Sequence, residues 1–559
     1  MKKRYIDLME KALSAYSRAH IERYFNDVKR DGLTEHGFPR LTSNIGILIS
    51  HGRRIDLLSL FLEMMDFCCT QIPRVKAAND FSVREILNCI EAVEHAKILD
   101  AARVDAWKRE IASIEPYSCY TKIAGDEDEV IFNWALFTAV SEYRRNVAGL
   151  ADTAGVIDIQ LATQLKHLDE NGMYRDGTHH APVVYDHVPR GLFAILLRLG
   201  YQGKYRERID DTIQKAALLS LKMQSVTGEL PFGGRSNQFL HNEPWLALIF
   251  EYEATRYKKT GDLALAGRFK AAAARAVDVT EYWLSKSPIY HIKNRYPTKS
   301  KFGCEEYAYF DKYMITAASF LHEAYLTCDE TIAATELDVT TPVAWQTSEY
   351  FHAVYLRAGG YSAQIDTAAD PHYDASGVGR VHRAGAPSAI CMSVPCPGGK
   401  PNYVLETPTP RALSFCAGVK TGDEWCFATG TDTIYEVVAL SQDDGRAGSE
   451  LCCRFADGKN VKSAITVSEN GVLAEVFGNG EIAFSLPAFA FDGETNTEIV
   501  AGAHTLEIHY GGWVCRYETD GEITDLGFTA ENRNGRYRAF AATGKNVLRV
   551  QIRILPATL

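Results

Sequence analysis

Residues 461–490 read VKSAITVSENGVLAEVFGNGEIAFSLPAFA, and apolar side chains recur there at every second position. The residues that show this period are Ile465, Val467, Val472, Ala474, Val476, Ile482, Phe484 and Leu486. A period of two is typical of β-strands that bury one face. Hairpin turns of two residues favour Asn-Gly and Asp-Gly pairs, which occur here as Asn470-Gly471, Asn479-Gly480, Asp520-Gly521 and Asn534-Gly535. The C-terminal part is therefore expected to be a large antiparallel β-structure.

Upstream of about residue 330 the apolar side chains are instead spaced by three and four residues, which is typical of helices. One such stripe consists of Trp245, Leu248, Ile249 and Tyr252. Comparable segments recur along this part of the chain, and the first of them begins near residue 4. About a dozen helices are expected. Because no motif repeats at a fixed period, the pattern favours a closed helical array over a solenoid.

The period changes near Thr340-Thr341-Pro342, which marks the expected domain boundary. We expect an α+β chain in which residues 1–340 form a helical catalytic domain and residues 345–559 form an antiparallel β-domain. The linker between them is short, so the two domains are expected to pack tightly against each other.

The composition excludes several classes of protein. A chain of 559 residues with 46% hydrophobic and 23% charged residues can bury full cores, so it is not a disordered protein. Its 60 Lys and Arg residues against 71 Asp and Glu residues give a net charge of −11, which argues against a nucleic-acid partner. The oligomeric state stays open, and a homo-oligomer is compatible with the sequence.

Neither a membrane segment nor an export signal is expected. No stretch approaches the roughly 18 consecutive apolar residues of a membrane-spanning helix, and residues 5–24 contain many charged side chains. The thirteen cysteines are odd in number and form no CxxC pair. We expect them to be buried thiols in a cytoplasmic protein.

The first cluster of chemically useful residues lies in a glycine-punctuated segment, residues 171–190. It brings His180, Tyr185, Asp186 and Arg190 to the start of an apolar helix, and a proton-transfer site needs such a mixture of titratable groups. The structural alternative is that Asp186 caps the helix and the histidines lie on a surface loop.

The second cluster, residues 230–245, gives the strongest signal. Gly233 and Gly234 allow a tight turn before polar side chains are presented to the next helix. Arg235 can bind a carboxylate through two bonds, and Asn237 and Gln238 can bind sugar hydroxyls or a carboxyl group. His241 and Glu243 can move protons. The structural alternative is that Ser236 or Asn237 caps the helix and that His241 lies in the core, but it would account for only part of these polar residues.

Two further groups are weaker candidates. Tyr307 and Glu305 precede the apolar stripe of a helix that begins near residue 310, where catalytic groups are commonly displayed, although tyrosines in such positions more often pack. Asn133 and Trp134 open another helix, and the indole could stack on a sugar face or simply fill the core.

In the β-region, residues 359–383 contain Asp370, His372, Asp374 and His382. Their spacing matches no defined metal cage, so turn chemistry and contacts between the domains are the favoured reading, and no metal is expected. Tyr373 and His382 remain candidates for binding substrate. The chain has no GxSxG elbow, Walker A loop or dinucleotide fingerprint, and no cofactor is expected.

The order of these features resembles the heparinase II/III-like group of carbohydrate-active enzymes, in which an incomplete (α/α) toroid precedes an antiparallel β-sandwich. The motifs that carry the resemblance are Tyr185-Asp186 with Arg190 and Gly200-Tyr201, Gly233-Gly234-Arg235-Ser236-Asn237 with His241-Asn242-Glu243, and Gly359-Gly360-Tyr361 with Tyr373-Asp374 and Gly379-Arg380-Val381-His382. The resemblance implies an N-terminal toroid of the (α/α)6 type and a polysaccharide lyase or a related glycoside hydrolase.

The favoured activity is β-elimination in oligosaccharides that contain uronic acid. Arg235 or Asn237 would hold the carboxylate, His241 or His180 would remove the C5 proton, and Tyr185 or Tyr307 would protonate the departing O4. The full set of expected substrate-binding residues is Asn133, Trp134, Arg190, Arg235, Asn237, Gln238, Tyr373 and His382.

Two alternatives remain. A hydrolase of the β-glucuronidase type would use two carboxylates from among Asp186, Glu243, Glu305 and Glu306. A non-catalytic carbohydrate-binding protein would use the aromatic and amide side chains but would not need histidines and acids in the same loops.

Overall fold

A computed structural model describes residues 1–177, 183–430 and 432–557. The α-helices of these ranges are α1 Lys2–Leu13, α2 Arg18–Asp31, α3 Gly37–Ser50, α4 Leu58–Gln71, α5 Asn79–Ala96, α6 Ala101–Ala112, α7 Pro116–Cys119, α8 Trp134–Val147, α9 Ala154–Leu165, α10 Val183–Arg198, α11 Arg206–Met223, α12 Asn242–Thr260, α13 Leu263–Leu284 and α14 Phe310–Thr327. All of them precede the first strand, as the change of apolar period indicates.

Six helices form a closed ring. Helices α3, α5, α8, α10, α12 and α14 pack side by side in this order, and α14 returns to α3. Helices α1, α4, α6, α9, α11 and α13 pack on the outside of the ring. The inner helices are enclosed on several sides, and residues 37–49 of α3 are all buried. A helix surrounded in this way must carry apolar residues around most of its circumference. This arrangement is the closed helical array that the sequence predicts, and it is of the (α/α)6 type that the resemblance implies.

The inner helices approach each other closely where α10 meets α12. Gly191 faces the indole of Trp245, and a Cβ at position 191 would lie 2.5 Å from a carbon of that ring. Trp245 itself packs against Phe320 of α14, with the ring centroids 3.7 Å apart and the ring planes inclined at 39°. A residue without a side chain is therefore needed at position 191 for the ring to close around this tryptophan.

The strands of the described ranges are β1 Val343–Gln346, β2 Ala353–Ala358, β3 Tyr361–Asp366, β4 Gly377–Arg383, β5 Ala417–Thr421, β6 Glu424–Phe427, β7 Ile434–Asp443, β8 Arg446–Arg454, β9 Asn460–Ser468, β10 Gly471–Phe491, β11 Glu498–Ala501, β12 Thr505–Tyr510, β13 Trp513–Thr519, β14 Glu522–Asn532 and β15 Gly535–Pro556. Strands β1 to β4 form one antiparallel sheet in sequence order, and the others form an eleven-stranded antiparallel sheet. The two sheets share one hydrophobic core, which makes this region a β-sandwich. The predicted fold class is confirmed.

The long strands β10 and β15 pair from Val472 opposite Ile552 to Phe491 opposite Arg536. The hairpins expected at Asn470-Gly471 and Asn534-Gly535 are present, but each glycine is the first residue of a strand, so the loop residues are 469–470 and 533–534. Asp520-Gly521 lies between β13 and β14, which both pair with β15 and form no hairpin with each other. The turn expected at Asn479-Gly480 is wrong, because these two residues lie inside β10, where the pairing with β15 is irregular between Phe477 and Glu481. Gly480 has a positive φ at this irregularity, and the N–H of Gly480 donates to the side chain of Asn546.

All thirteen cysteines are free thiols, and eleven are buried, whereas Cys426 is exposed and Cys452 is half-buried. Among the described residues there is no helix with the length and apolarity to span a membrane. Those ranges also hold no group of three or more His, Cys, Asp or Glu side chains arranged to bind a metal ion.

Candidate active site

A cavity of about 400 Å³ lies at one end of the toroid. It is lined by His36, Arg40, Phe81, Asn133, Trp134, Phe137, Val184, Tyr185, Val188, Arg235, His241, Trp245, Tyr307, Lys312, Tyr313, Thr316 and Phe320. Every helix of the inner ring contributes to this lining. The described lining residues include three cationic side chains and no Asp or Glu. Two of these cations are ion-paired with carboxylates outside the lining, so the cavity offers cationic hydrogen-bond donors, and not three uncompensated charges, to an anionic ligand.

Two phenols in the cavity share one serine. The hydroxyl of Tyr185, in the first turn of α10, lies 3.0 Å from Ser236 Oγ, which in turn lies 2.9 Å from the hydroxyl of Tyr307. Burial raises the pKa of both tyrosines, and the cation of Arg235 opposes this effect at Tyr185. The two phenols are therefore protonated at neutral pH and can act as proton donors.

Arg235 lies beside Tyr185, with its guanidinium carbon 4.4 Å from the centroid of the phenol ring. One of its terminal nitrogens forms an ion pair with Asp176. Its Nε has no hydrogen-bond partner among the described residues, and 40% of the side chain is exposed. The guanidinium is thus anchored on one side, its Nε is buried, and the exposed part of its terminal group can meet a ligand.

Asn133 occupies the N-cap position of α8, but its side chain does not cap the helix. It donates from Nδ2 to Asp176 Oδ1 over 2.7 Å. Trp134, the next residue, places its indole in the cavity wall. The structure thus brings together six of the expected site residues: Asn133, Trp134, Tyr185, Arg235, His241 and Tyr307.

His241 immediately precedes α12 and is 5% exposed. Burial, with a smaller contribution from the charge of Arg40, lowers its pKa to about 3. Its Nδ1 has no hydrogen-bond partner in the described part of the chain. Because Nδ1 is itself buried, the neutral imidazole would accept a proton from a bound ligand at Nε2.

The candidate acids do not line the cavity. Asp186 Oδ2 accepts from Arg190 at 2.6 Å, and its Oδ1 accepts from the backbone N–H of Tyr174 at 2.8 Å. Glu243 Oε1 lies 2.7 Å from Lys293 Nζ. All four charged side chains are buried. Burial raises the pKa of Asp186 and of Glu243, while their cation partners oppose the rise.

The side-chain amides of the second cluster form hydrogen bonds within the loop that carries them. Asn237 donates from Nδ2 to the carbonyl of Pro231 at 3.1 Å, and Gln238 donates from Nε2 to Asn237 Oδ1 at 2.8 Å. Both side chains are buried and neither lines the cavity.

The β-region candidates lie elsewhere. His382 is buried, with its ring nitrogens 2.7 Å from Ser225 Oγ and 2.9 Å from Ser393 Oγ, so it joins the sandwich to the toroid. Tyr373 faces Arg533 of the sandwich at 6.0 Å. Neither residue lines the cavity. His180 lies outside the described residues.

The sequence did not identify several residues of the cavity and its supports: His36, Arg40, Asp176, Lys312 and Thr316. Arg40 lies in α3, where it is ion-paired with Glu85 at 2.8 Å. No local pattern marks this residue, because a helix position shows its role only when the neighbouring helices are placed. Asp176 lies within the first predicted cluster, so its position, but not its role, could have been found from sequence.

No family model matches the sequence, and no curated protein matches it. Among solved structures, the chain is similar to a chondroitin AC lyase from Streptomyces coelicolor A3 in complex with chondroitin sulphate, with a TM-score of 0.51, 13% identity, and coverage of 99% of this chain and 79% of that chain. A mutant heparan sulfate lyase from Pedobacter heparinus gives a TM-score of 0.48 at 8% identity, with 93% and 77% coverage. A glycosyl hydrolase of family 88 from Bacteroides vulgatus gives 0.36 at 12% identity, with 58% and 98% coverage. The chain is therefore similar in fold to the chondroitin AC lyase, which confirms the heparinase-like resemblance at the level of the fold.

Proposed function

We propose that the protein is a lyase that cleaves oligosaccharides containing uronic acid by β-elimination. The observation that carries the proposal is the lining of the cavity, where the described residues provide Arg40, Arg235 and Lys312 but no carboxylate. A cationic cavity favours binding of a uronate, and neutralising its carboxylate makes the adjacent C5 proton more acidic. The solved lyases of similar fold are consistent with this activity.

In this mechanism Arg235 and Asn133 bind the carboxylate, and Trp134 stacks on a sugar ring. His241 takes the C5 proton. The electron pair of the C5–H bond forms the C4–C5 double bond, and the C4–O4 bond breaks. Tyr185 gives its proton to the departing O4.

The charge of the substrate would assist His241. In the free protein the low pKa of this side chain makes it a weak base. A carboxylate entering the cavity would offset the charge of Arg40, which lowers that pKa, and the imidazole would become more basic. Tyr307 would support Tyr185 through Ser236, whose hydroxyl contacts both phenols. His180 stays a second candidate for the base.

A hydrolase requires two carboxylates on either side of the scissile bond. Asp186 and Glu243 are instead held in buried ion pairs with Arg190 and Lys293. Glu305 is bound by Arg533, and Glu306 is exposed. The hydrolase of glucuronidase type is therefore the second candidate, and a binding protein without turnover is the third.

We also propose that residues 1–340 and 345–559 act as one unit. The last helix of the toroid ends at Thr327 and the first strand begins at Val343. Arg380 of β4 donates to the carbonyl of Leu230 at 2.7 Å, just before the loop that carries Arg235. The sandwich would thus support the catalytic loop.

The test is incubation with a panel of uronate-containing oligosaccharides, followed by ultraviolet absorbance and mass analysis. Elimination creates a double bond conjugated with the carboxylate, so absorbance grows and no water is added to the products. Saturated products with one added water would establish the hydrolase instead. Binding without any product would support the third candidate.

A further inference from the structure

The turn between β14 and β15 reaches from the sandwich into the loops of the toroid. At its tip Arg533 is fully buried, although it lies in the turn between two long strands. Its backbone carbonyl accepts a hydrogen bond from Asn294 Nδ2 at 2.9 Å. The tip is therefore fixed inside the helical domain.

Arg533 holds one carboxylate with both arms of its guanidinium. Nη2 donates to Glu305 Oε1 at 2.5 Å, and Nη1 donates to Glu305 Oε2 at 3.0 Å and to the carbonyl of Gly303 at 2.6 Å. Glu305 is itself 3% exposed. A two-point contact of this kind fixes both the position and the plane of the carboxylate.

Glu305, held in this way, in turn holds the backbone of Ser236. Its Oε1 accepts the backbone N–H of Ser236 at 2.6 Å. Ser236 has φ +57°, a left-handed conformation that is costly for a residue with a side chain and persists only when its surroundings impose it. The hydroxyl of this serine is the group that contacts Tyr185 and Tyr307.

The neighbouring residue of the turn supports the same loop. Asn534 donates from Nδ2 to Gln238 Oε1 at 3.1 Å and to the carbonyl of Lys293 at 2.8 Å. Gln238 also has a left-handed backbone, with φ +63°. Both strained residues of the 236–238 loop are thus held by the β14–β15 turn. Asn534 contacts Gln238 directly, and Arg533 acts on Ser236 through Glu305.

We propose that Arg533 is a positioning residue of the active site: through Glu305 and Ser236 it holds the hydroxyls of Tyr185 and Tyr307 in the arrangement required for proton transfer. The proposal rests on the proposed lyase function for its kinetic part only. The sandwich then contributes to the site through one side chain that does not touch the cavity.

The first experiment is Arg533→Lys in the full-length protein. Lysine keeps the charge but loses the second arm, so Glu305 can rotate and release Ser236. We expect kcat to fall by about 10- to 100-fold while KM changes by less than about threefold, because Arg235 and Asn133 are untouched. The matched control is Arg536→Lys, since Arg536 lies three residues further along the chain, in β15, and pairs with Glu406 and Glu531 but not with Glu305.

A second variant separates positioning from stability. Removing the cation alone leaves a buried carboxylate without a partner, which destabilises the fold. The double variant Arg533→Met with Glu305→Gln removes both charges and keeps an acceptor for Ser236. We expect it to melt at a higher temperature than Arg533→Met alone and still to turn over slowly. Full activity in a folded double variant, or in Arg533→Lys, would overturn the proposal, and so would failure of both to fold.

A readout without turnover keeps this test independent of the proposed function. With ring-labelled tyrosine, the carbon NMR signals of Tyr185 and Tyr307 are assigned by Tyr185→Phe and Tyr307→Phe. Both signals should shift in Arg533→Lys and stay in place in Arg536→Lys. If the wild type forms no product but these shifts occur, the lyase function fails and the positioning role stands. Unchanged signals would contradict the positioning role whatever the activity.

Discussion

Asn133 donates a hydrogen bond from its side-chain amide to Asp176 over 2.7 Å. The second carboxylate oxygen of Asp176 forms an ion pair with Arg235. Residues from three separate segments thus meet at one buried acid, which aligns the two groups proposed to bind the substrate carboxylate. Asp176 does not line the cavity, and we infer that it orients the groups that do.

Replacing Asp176 should therefore disturb substrate binding and orientation together. Asp176→Asn keeps an oxygen for Asn133 but loses the ion pair with Arg235, and we expect kcat/KM to fall by about 10- to 100-fold. Initial rates of ultraviolet absorbance measure this. Asp128→Asn is the control, since Asp128 is 99% exposed and pairs with Lys166 on the surface. Equal rates for both variants would show that Asp176 does not contribute to the site.

Substitution of the proton-transfer groups should distinguish elimination from hydrolysis. We expect Tyr185→Phe and His241→Ala each to slow elimination by on the order of 100-fold or more, because each removes a positioned acid or base. Glu243→Gln should lower the melting temperature by weakening a buried ion pair, with a much smaller effect on the rate. A hydrolase would show the reverse order, together with an added water in the products.

Arg235→Lys tests the recognition of the carboxylate. Lysine retains the charge but not the planar guanidinium, which pairs with Asp176 and still has an exposed part for a ligand. We expect a folded protein with substantially reduced kcat/KM, measured beside its circular dichroism and melting temperature. If Arg235→Lys is fully active and Arg235→Ala unfolds, the residue is structural.

Buried histidines should make the protein sensitive to acid. Burial lowers the pKa of His382 to about 3, whereas an unfolded histidine titrates near 6.5. Between these values the unfolded state binds the proton and the folded state does not, so this group reduces stability as the pH falls. The expected slope is about 1.4 kcal/mol per pH unit at full effect.

The variant His382→Asn should therefore lose less stability than the wild type when the pH falls from 6.5 to 5. The measurement is the difference in melting temperature between the two proteins across this range. At pH 8 the variant is expected to be the less stable one, because it loses the contacts with Ser225 and Ser393. A constant difference at every pH would show that His382 takes up its proton equally in both states.

The closure of the ring around Trp245 predicts a cost for any side chain at position 191. Gly191→Ala would place its Cβ 2.5 Å from the indole, and overpacking of this kind destabilises by about 1–3 kcal/mol. Chemical unfolding measures the loss. Gly155→Ala in α9 is the control, because its Cβ would meet nothing within 4 Å and alanine favours the helix. Similar changes in both variants would contradict the packing argument.

The sequence by itself determined the local structure and the fold class. Apolar periods near three and a half and near two separate the helices from the strands because each period matches the geometry of one element. The turn signal at Asn470-Gly471 located a hairpin to within one residue, because the positive φ of Gly471 (+107°) is a local property, although this glycine pairs with Ser468 as the first residue of β10. At Asn479-Gly480 the same signal was misleading, since the partner strand β15 continued the pairing past it.

The segments that supply the candidate site could also be found from sequence, because polar residues cluster in loops before helices. Only the tertiary structure decided which of their side chains face the cavity. Asp186 and Glu243 turn to Arg190 and Lys293, while Tyr185 and His241, one and two residues away, line the cavity. Arg533 reaches Glu305 across 228 residues of sequence. Such contacts depend on the closure of the ring and on the docking of the sandwich, and no local pattern encodes either.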